Sequence, residues 1–376
     1  MQIVDLIRER GPVTVAAFMD LALYHPEHGY YARAAQRSGR AGDFFTSVDV
    51  GPLFGELLEI QIAEMAALPQ FAIHNSKFDI VEAGAGNGRL AADILRAARR
   101  RDRSFYDRIR LHLVEASAAA RAAQPSTLGE VGDRLASSSD SLPASFEGVL
   151  VANELLDALA VHQVVMTADG LREVYVEAAG DGLATLEGPP STPDLQAYLD
   201  RAGATLEPGW HAEINLRALD WIRDASRRLS RGFLLLVDYG HLARDLYSAS
   251  HAGGTLTTFA RHTMAGPESG AGAPAWLEHP GEQDLTAHVD FTSVRAAAEA
   301  EGLETIGLLD QTYFLMGLVA GAGVNPNEGG ADLKRGLALK TLLMPGGLGS
   351  THKVLILGKG VGAPALLGCS YRMRLT

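Results

Sequence analysis

The chain has 376 residues, 47% of them hydrophobic and 21% charged, which excludes a disordered chain and fits two domains or one domain with large insertions. Lys and Arg number 33 against 45 Asp and Glu, a net charge of −12, so a broad basic face for nucleic acid is excluded and no nucleic-acid partner is expected. The single cysteine, Cys369, excludes an internal disulfide framework and a multi-cysteine zinc site. No apolar run approaches the ~20 residues of a membrane span. Asp5 and Glu9 alternate with Arg8 and Arg10 near the start, so neither a secretion signal nor a transit peptide is expected, and the expected location is the cytoplasm.

Val4, Leu6 and Ile7 fall near helical spacing until Gly11-Pro12 stops the run. Val15 to Leu23 reads as a second helix, ended by the turn-like His25-Pro26-Glu27-His28-Gly29. Residues 37–51 read as a loop, and Leu53 to Leu68 as a third helix ending at Pro69. From residue 78 short apolar runs alternate with helical segments. Strands are expected at 78–81, 110–114, 148–152, 233–237 and 354–357, with an Ala-rich helix running to about Arg101. Runs apolar on both faces fit a mostly parallel sheet in an α/β fold. Val164 to Glu187, with Asp169-Gly170 and Asp181-Gly182, predicts an inserted β-meander, and 250–282 a long Gly-, Pro- and His-rich loop.

The sharpest motif is Glu82-Ala83-Gly84-Ala85-Gly86-Asn87-Gly88 between a strand and a helix. Glycines there let the backbone turn tightly and a ligand approach closely. A dinucleotide fingerprint needs G-x-G-x-x-G; this chain has G-x-G-x-G, with Arg89 in the third glycine's place. The departure favours S-adenosylmethionine over a nicotinamide dinucleotide, against the plainer reading of a tight turn without ligand. Glu115 closes the next strand, where an ionised carboxylate can accept from two ribose hydroxyls; the alternative is a solvated strand end.

Asn153-Glu154-Leu155-Leu156-Asp157 follows another strand, at the end where open α/β sheets bind ligands. A helix starting here would put Glu154 and Asp157 on one face to grip a guanidinium, whereas the plainer reading is an N-cap by Asn153. Asp43, in Gly42-Asp43-Phe44-Phe45, could serve a cofactor's amino group, or be a turn residue beside buried Phe side chains. Glu82 and Asn153 are counted with the cofactor residues. Asp238-Tyr239-Gly240 faces the same rim. Asp284, Thr286, His288 and Asp290 would share one face of an extended strand. Strand polarity accounts for that alternation, and no metal is expected.

Taken in order, His25 to Tyr31, Gly42-Asp43-Phe44, Phe54-Gly55-Glu56, Glu82 to Gly88, Leu113-Val114-Glu115, Ala152 to Leu159, Asp238 to His241, Asp284 to Phe291 and Lys353-Val354-Leu355 resemble the MidA-like family. Its mitochondrial members are arginine methyltransferases of complex I assembly. The resemblance implies a seven-strand Rossmann-like S-adenosylmethionine-dependent methyltransferase fold with an N-terminal helical region and β and loop insertions. It also implies a protein substrate, with a respiratory complex I subunit as one candidate, and a bacterial cytoplasmic protein. The expected division is 1–75 helical, 76–163 core, 164–210 β-meander, 211–249 core, 250–290 insertion and 291–376 core.

Where the family has Thr-Ser-Pro-Glu, this chain has Thr46-Ser47-Val48-Asp49; Ala85 and Arg89 replace a Pro and a Thr of its glycine loop, and His352 replaces a Phe before Lys353. The expected function is protein arginine methylation, with Glu154 and Asp157 catalytic. The cofactor would rest on Asp43, Glu82, Gly84, Gly86, Gly88, Glu115 and Asn153. The rivals are a cofactor-binding assembly chaperone without turnover, a small-molecule methyltransferase and a nicotinamide oxidoreductase. The Leu-rich 53–68 segment permits a homodimer.

Overall fold

In the computed structural model, which describes residues 3–32, 46–71, 76–260, 263–266, 274–321, 333–344 and 348–371, the apolar runs expected as strands lie side by side in one mixed sheet. The chain divides into two units that interleave along the sequence. One takes Phe45–Leu155, Arg223–Tyr239 and Ala297–Thr376, the other Met1–Phe44, Leu156–Ile222 and Gly240–Ala296.

The first unit carries β1 (Phe78–Ala83), β2 (Ile109–Val114), β3 (Leu135–Ser139), β4 (Phe146–Asn153), β5 (Leu229–His241, to Tyr239 in this unit), β6 (Glu304–Asp310) and β7 (His352–Lys359). Their order is β6-β7-β5-β4-β1-β2-β3. β5, β4, β1, β2 and β3 pair in parallel, while β7 is antiparallel to both β5 and β6. All six residues of β1 are buried, as a strand covered on both faces requires. Of its two buried acids, Asp79 is satisfied by two guanidinium nitrogens of Arg110 at 2.7 and 2.8 Å and by the Glu147 N–H at 2.9 Å.

The helix Arg89–Arg101 links β1 to β2. It buries Leu90, Ala92, Ile94, Leu95 and Ala98 and ends on Arg99, Arg100 and Arg101, where positive charge suits the C-terminal dipole. The helix Leu53–Ala66 joins the same core through Phe54, Leu57, Leu58, Ile62 and Met65. The apolar side chains of this Leu-rich segment are thus mostly buried inside the unit rather than exposed as a surface.

In the second unit the expected meander is a five-stranded sheet. Val13–Thr14, Gly170–Ala179, His162–Thr167 and His211–Ile214 run in that order, with Gly182–Gly188 also on Gly170–Ala179. Helices Ile3–Arg10 and Val15–Tyr24 supply Ile3, Ile7, Phe18 and Met19 to a core with Val174, Val176 and Trp276. The turn at His25 is built by its own ring: Nδ1 accepts the N–H groups of Glu27 and His28 at 3.2 Å each. Gly29 is obligatory there, since a Cβ would lie 2.5 Å from the His25 nitrogen.

Two expectations change in this unit. Among the described residues, 250–282 is not simply loop: Thr257–Ala260 pairs with Thr263–Ala265 and with Asp284–Thr286. Nor is 284–290 one strand. Asp284–Thr286 belongs to that small sheet, while Val289–Asp290 runs parallel to Gly240–His241 at the end of β5. The break at Ala287-His288 separates the alternating polar residues, and hydrogen bonding decides their fates. Asp284 accepts from the Tyr31 hydroxyl at 2.9 Å, and Asp290 from Tyr198 at 3.1 Å and Ser293 at 2.6 Å. Among the described residues no helix is long and apolar enough to cross a membrane.

Candidate active site

The register of the first unit's sheet lines up the carboxyl ends of four strands. Ala83 stands beside Val114 on one side and Ala152 on the other, and Asn153 stands beside Val237. The strand order reverses at β1, which is the position where open α/β sheets bind ligands. The glycine loop leaves this edge from β1. Gly84 and Ala85 both donate to the Val114 carbonyl, at 2.9 and 3.0 Å, which folds the loop back over β2. Gly84, Gly86 and Gly88 have φ of 70°, 51° and 83°, a region that costs a side chain about 1–2 kcal/mol. A Cβ on Gly86 would meet nothing within 4 Å, so the loop presents an open backbone face there.

Glu115 is tied to that loop. One carboxylate oxygen accepts the Gly86 N–H at 2.8 Å and the other the Ser117 N–H at 2.7 Å. Each oxygen keeps a second lone pair for a ligand hydroxyl. Gln124, fully buried, holds the loop from the other side. Its amide donates to the Gly86 carbonyl at 2.9 Å and accepts from Ser138 at 2.6 Å.

Glu82 lies beneath the loop, nearly buried, and accepts the Ala91 N–H at 3.0 Å in the first turn of the next helix. Burial pushes its carboxyl up to about 8, the charges of Glu115 and Asp93 push the same way, and the Ala91 hydrogen bond only partly opposes them. Glu82 is therefore mostly protonated at neutral pH.

The loop after β4 is set by backbone strain. Glu154 has φ of 51°, and its N–H donates to the Val237 carbonyl at 2.8 Å. Asp238, buried, takes the next N–H, that of Leu155, at 3.1 Å. These two bonds hold a non-glycine residue in a conformation it rarely adopts, a pattern that clusters at functional sites. The Glu154 carboxylate is approached by the Ser47 N–H at 3.4 Å, the Asn153 amide at 3.3 Å and His352 Nε2 at 3.3 Å. Among the described residues the buried Asn153 Oδ1 has no hydrogen-bond partner, which leaves an acceptor for a ligand donor at the same rim.

Of the residues expected to hold a cofactor, Glu82, Gly84, Gly86, Gly88, Glu115 and Asn153 all fall at this edge of one sheet. Asp43 lies outside the described residues. No helix begins at Asn153: 154–160 is bends and turns, so Glu154 and Asp157 share no helical face. Glu154 belongs to the first unit and Asp157 to the second, where its carbonyl accepts the Ala287 N–H at 3.0 Å.

Sequence reasoning missed Gln124, Ser47 and His352. Gln124 carried only a faint signal, being with Arg121 one of two long polar side chains in the Ala-rich helix Ala118–Leu128. His352 showed only as a departure from the family pattern. Two other departures are partners of each other: Arg89 donates to Asp49 at 2.9 Å, and Asp49 in turn accepts from Thr46 N and Oγ1 at 3.0 Å each.

The fit to S-adenosylmethionine is good on these grounds: an open, positive-φ glycine loop, a carboxylate with lone pairs to spare and a buried acceptor without a partner. Comparison with known proteins agrees. Residues 58–309 match the family described as putative S-adenosyl-L-methionine-dependent methyltransferase. The mouse protein arginine methyltransferase NDUFAF7, mitochondrial, is 32% identical over 337 residues, spanning 82% of this chain and 71% of that protein. The human protein of the same name is 30% identical over 338 residues, 82% and 70% of the two chains. A Burkholderia thailandensis protein solved with S-adenosyl-homocysteine superposes with a TM-score of 0.85 at 28% identity, over 99% of this chain and 95% of that one. The chain thus belongs to this family of S-adenosylmethionine-dependent methyltransferases.

Proposed function

We propose that this methyltransferase acts on an arginine side chain of a protein. What carries the reading is Glu154: a carboxylate at the carboxyl edge of the sheet, locked at positive φ by the Val237 carbonyl, in a chain similar to proteins named arginine methyltransferases. S-adenosylmethionine supplies an electrophilic methyl group on a sulfonium.

The chain's own residues do the rest by alignment. The glycine loop gives an open backbone face, Glu115 accepts from the ribose hydroxyls, and Glu82 and Asn153 lie under and beside the loop. We read the β6-β7-β5-β4-β1-β2-β3 path as the seven-strand sheet of the methyltransferase core. Glu154 orients the guanidinium and stabilises charge as the methyl moves. A guanidinium pKa of roughly 13.8 leaves no free neutral form to speak of, so the carboxylate works by position rather than as a strong base. Holding two reactants in line is worth roughly 7–11 kcal/mol over random encounter. A respiratory complex I subunit is the substrate class the family resemblance suggests.

Labelled S-adenosylmethionine incubated with a source-cell lysate, followed by mass spectrometry, should find methylarginine on a protein with wild-type enzyme and lose it with Glu154→Gln. Calorimetry should find cofactor affinity intact in that variant and reduced at least about 100-fold in Glu115→Ala, the loss of two hydrogen bonds to a charged group. Full turnover by Glu154→Gln removes Glu154 from the mechanism; label on lysine or on small molecules overturns the substrate class.

A further inference from the structure

Three histidines of the second unit stand together without a part in the reading above. His241 ends β5, His251 ends the short turn Ala249–His251, and His288 lies in the break between Asp284–Thr286 and Val289–Asp290. One ring nitrogen of each lies within 4.8 Å of the others. The ring centroids are 4.8 Å apart for His241 and His251, 5.2 Å for His241 and His288, and 5.8 Å for His251 and His288. The interplanar angles are 48°, 38° and 72°, so the rings are inclined to one another rather than stacked face to face.

The backbones that carry them are held in place. His241 pairs with Asp290, and the His288 N–H donates to Thr255 Oγ1 at 3.1 Å. Thr255 is in turn held by Glu213, whose carboxylate accepts its N–H at 2.6 Å and its hydroxyl at 2.9 Å. The turn of His251 closes with its N–H on the Ser248 carbonyl at 2.9 Å and its carbonyl on the Gly254 N–H at 2.8 Å. His251 Nδ1 lies 3.0 Å from the Asp245 carbonyl oxygen. A carbonyl can only accept, so Nδ1 carries the proton and the lone pair sits on Nε2. That outer contact is the usual way a metal-ligating imidazole is fixed in tautomer and orientation.

We propose that His241, His251 and His288 form a three-imidazole site for a divalent transition-metal ion of the zinc class. Imidazole nitrogens with no thiolate suit zinc, copper, nickel or ferrous iron and disfavour magnesium and calcium, which take oxygen ligands. Tetrahedral coordination at about 2.0–2.1 Å puts ligand nitrogens about 3.3 Å apart. Closing from 4.8 Å to that spacing moves each nitrogen by less than about 1 Å, within reach of small side-chain rotations. Three histidines leave a fourth position for water, and the ion ties the end of β5 to the Ala249–His251 turn and to the 287–288 connection.

The test uses the full chain without an affinity tag, stripped with a chelator and titrated with Co²⁺ as a spectroscopic probe, then with Zn²⁺ in competition. One equivalent of Co²⁺ should give the visible bands of a four- or five-coordinate ion, and Zn²⁺ should displace it. X-ray absorption of the wild-type zinc form should show nitrogen and oxygen ligands with the outer scattering of three imidazoles. His251→Gln and His288→Gln should each weaken Zn²⁺ binding more than the 10–100-fold typical of losing an outer partner, with circular dichroism unchanged in chelator. Binding that is weak or not stoichiometric, fewer than three imidazoles in the absorption spectrum, or equal affinity in folded variants overturns the site.

Discussion

Replacing Glu82 with Gln tests whether the glycine loop rests on a neutral acid. The substitution keeps shape and an acceptor for the Ala91 N–H and removes only the ionisable group. Glu82 is raised from 4.5 to about 8 by burial first and by Glu115 and Asp93 second. Unfolded, it releases its proton near 4.5; folded, it keeps it to about 8. Between those values the native state binds more protons, so the wild-type protein loses stability as pH rises, by about 1.36 kcal/mol per pH unit.

Across the whole window the penalty sums to about 5 kcal/mol, and between pH ~5.5 and ~8.5 it grows by about 3 kcal/mol. Any pH-independent cost of the amide cancels in that difference. Urea unfolding of wild type and E82Q at the two pH values should show the variant gaining about 3 kcal/mol relative to wild type at the higher pH. Cofactor binding gives a second readout. A cationic ligand against the loop favours ionised Glu82, so calorimetry near neutral pH in buffers of different ionisation enthalpy should detect a released proton in wild type and none in E82Q. A difference between the two proteins that does not change with pH refutes the buried neutral carboxyl.

Gly86→Ala should cost only about 1–2 kcal/mol of stability, because its φ of 51° strains a side chain but no atom blocks it, while cofactor affinity measured by calorimetry falls at least about 10-fold. Arg89→Ala removes the guanidinium that pairs the Asp49 carboxylate, whose side chain is 1% exposed; urea unfolding of the single and double variants with Asp49→Ala should give a coupling of about 1–3 kcal/mol. His352→Phe keeps a ring against Tyr239, 3.9 Å away, and removes the nitrogen 3.3 Å from Glu154; kcat should drop about 10-fold with the cofactor KM within about twofold. Asp157→Asn tests the second expected carboxylate: unchanged kcat and KM in steady-state assays remove it from the mechanism.

The hydrophobic pattern was enough to place strands at 78–81, 110–114, 148–152, 233–237 and 354–357, because a strand buried on both faces needs a short, continuous apolar run bounded by polar residues; it missed Leu135–Ser139 and Glu304–Asp310, whose residues are mostly half-buried or exposed. The glycine loop was readable for a related reason: positive φ restricts the residue type locally, whatever the rest of the chain does. The conformation after β4 was not. The sequence Asn153 to Asp157 looks like a helix start, but the Val237 carbonyl and the Asp238 carboxylate, more than 80 residues away in sequence, take the N–H groups of Glu154 and Leu155 and hold the chain in a turn.

The same holds for several other pairings of side chains. Asp49 with Arg89, Glu154 with His352, Gln124 with Gly86 and the three histidines each join residues far apart in the chain. Local propensity acts over a few residues, whereas these contacts exist only once sheet register and loop closure bring separate segments together. Periodicity therefore settles which fully buried segments form the centre of the scaffold, and the folded packing alone decides which polar groups meet at its edge.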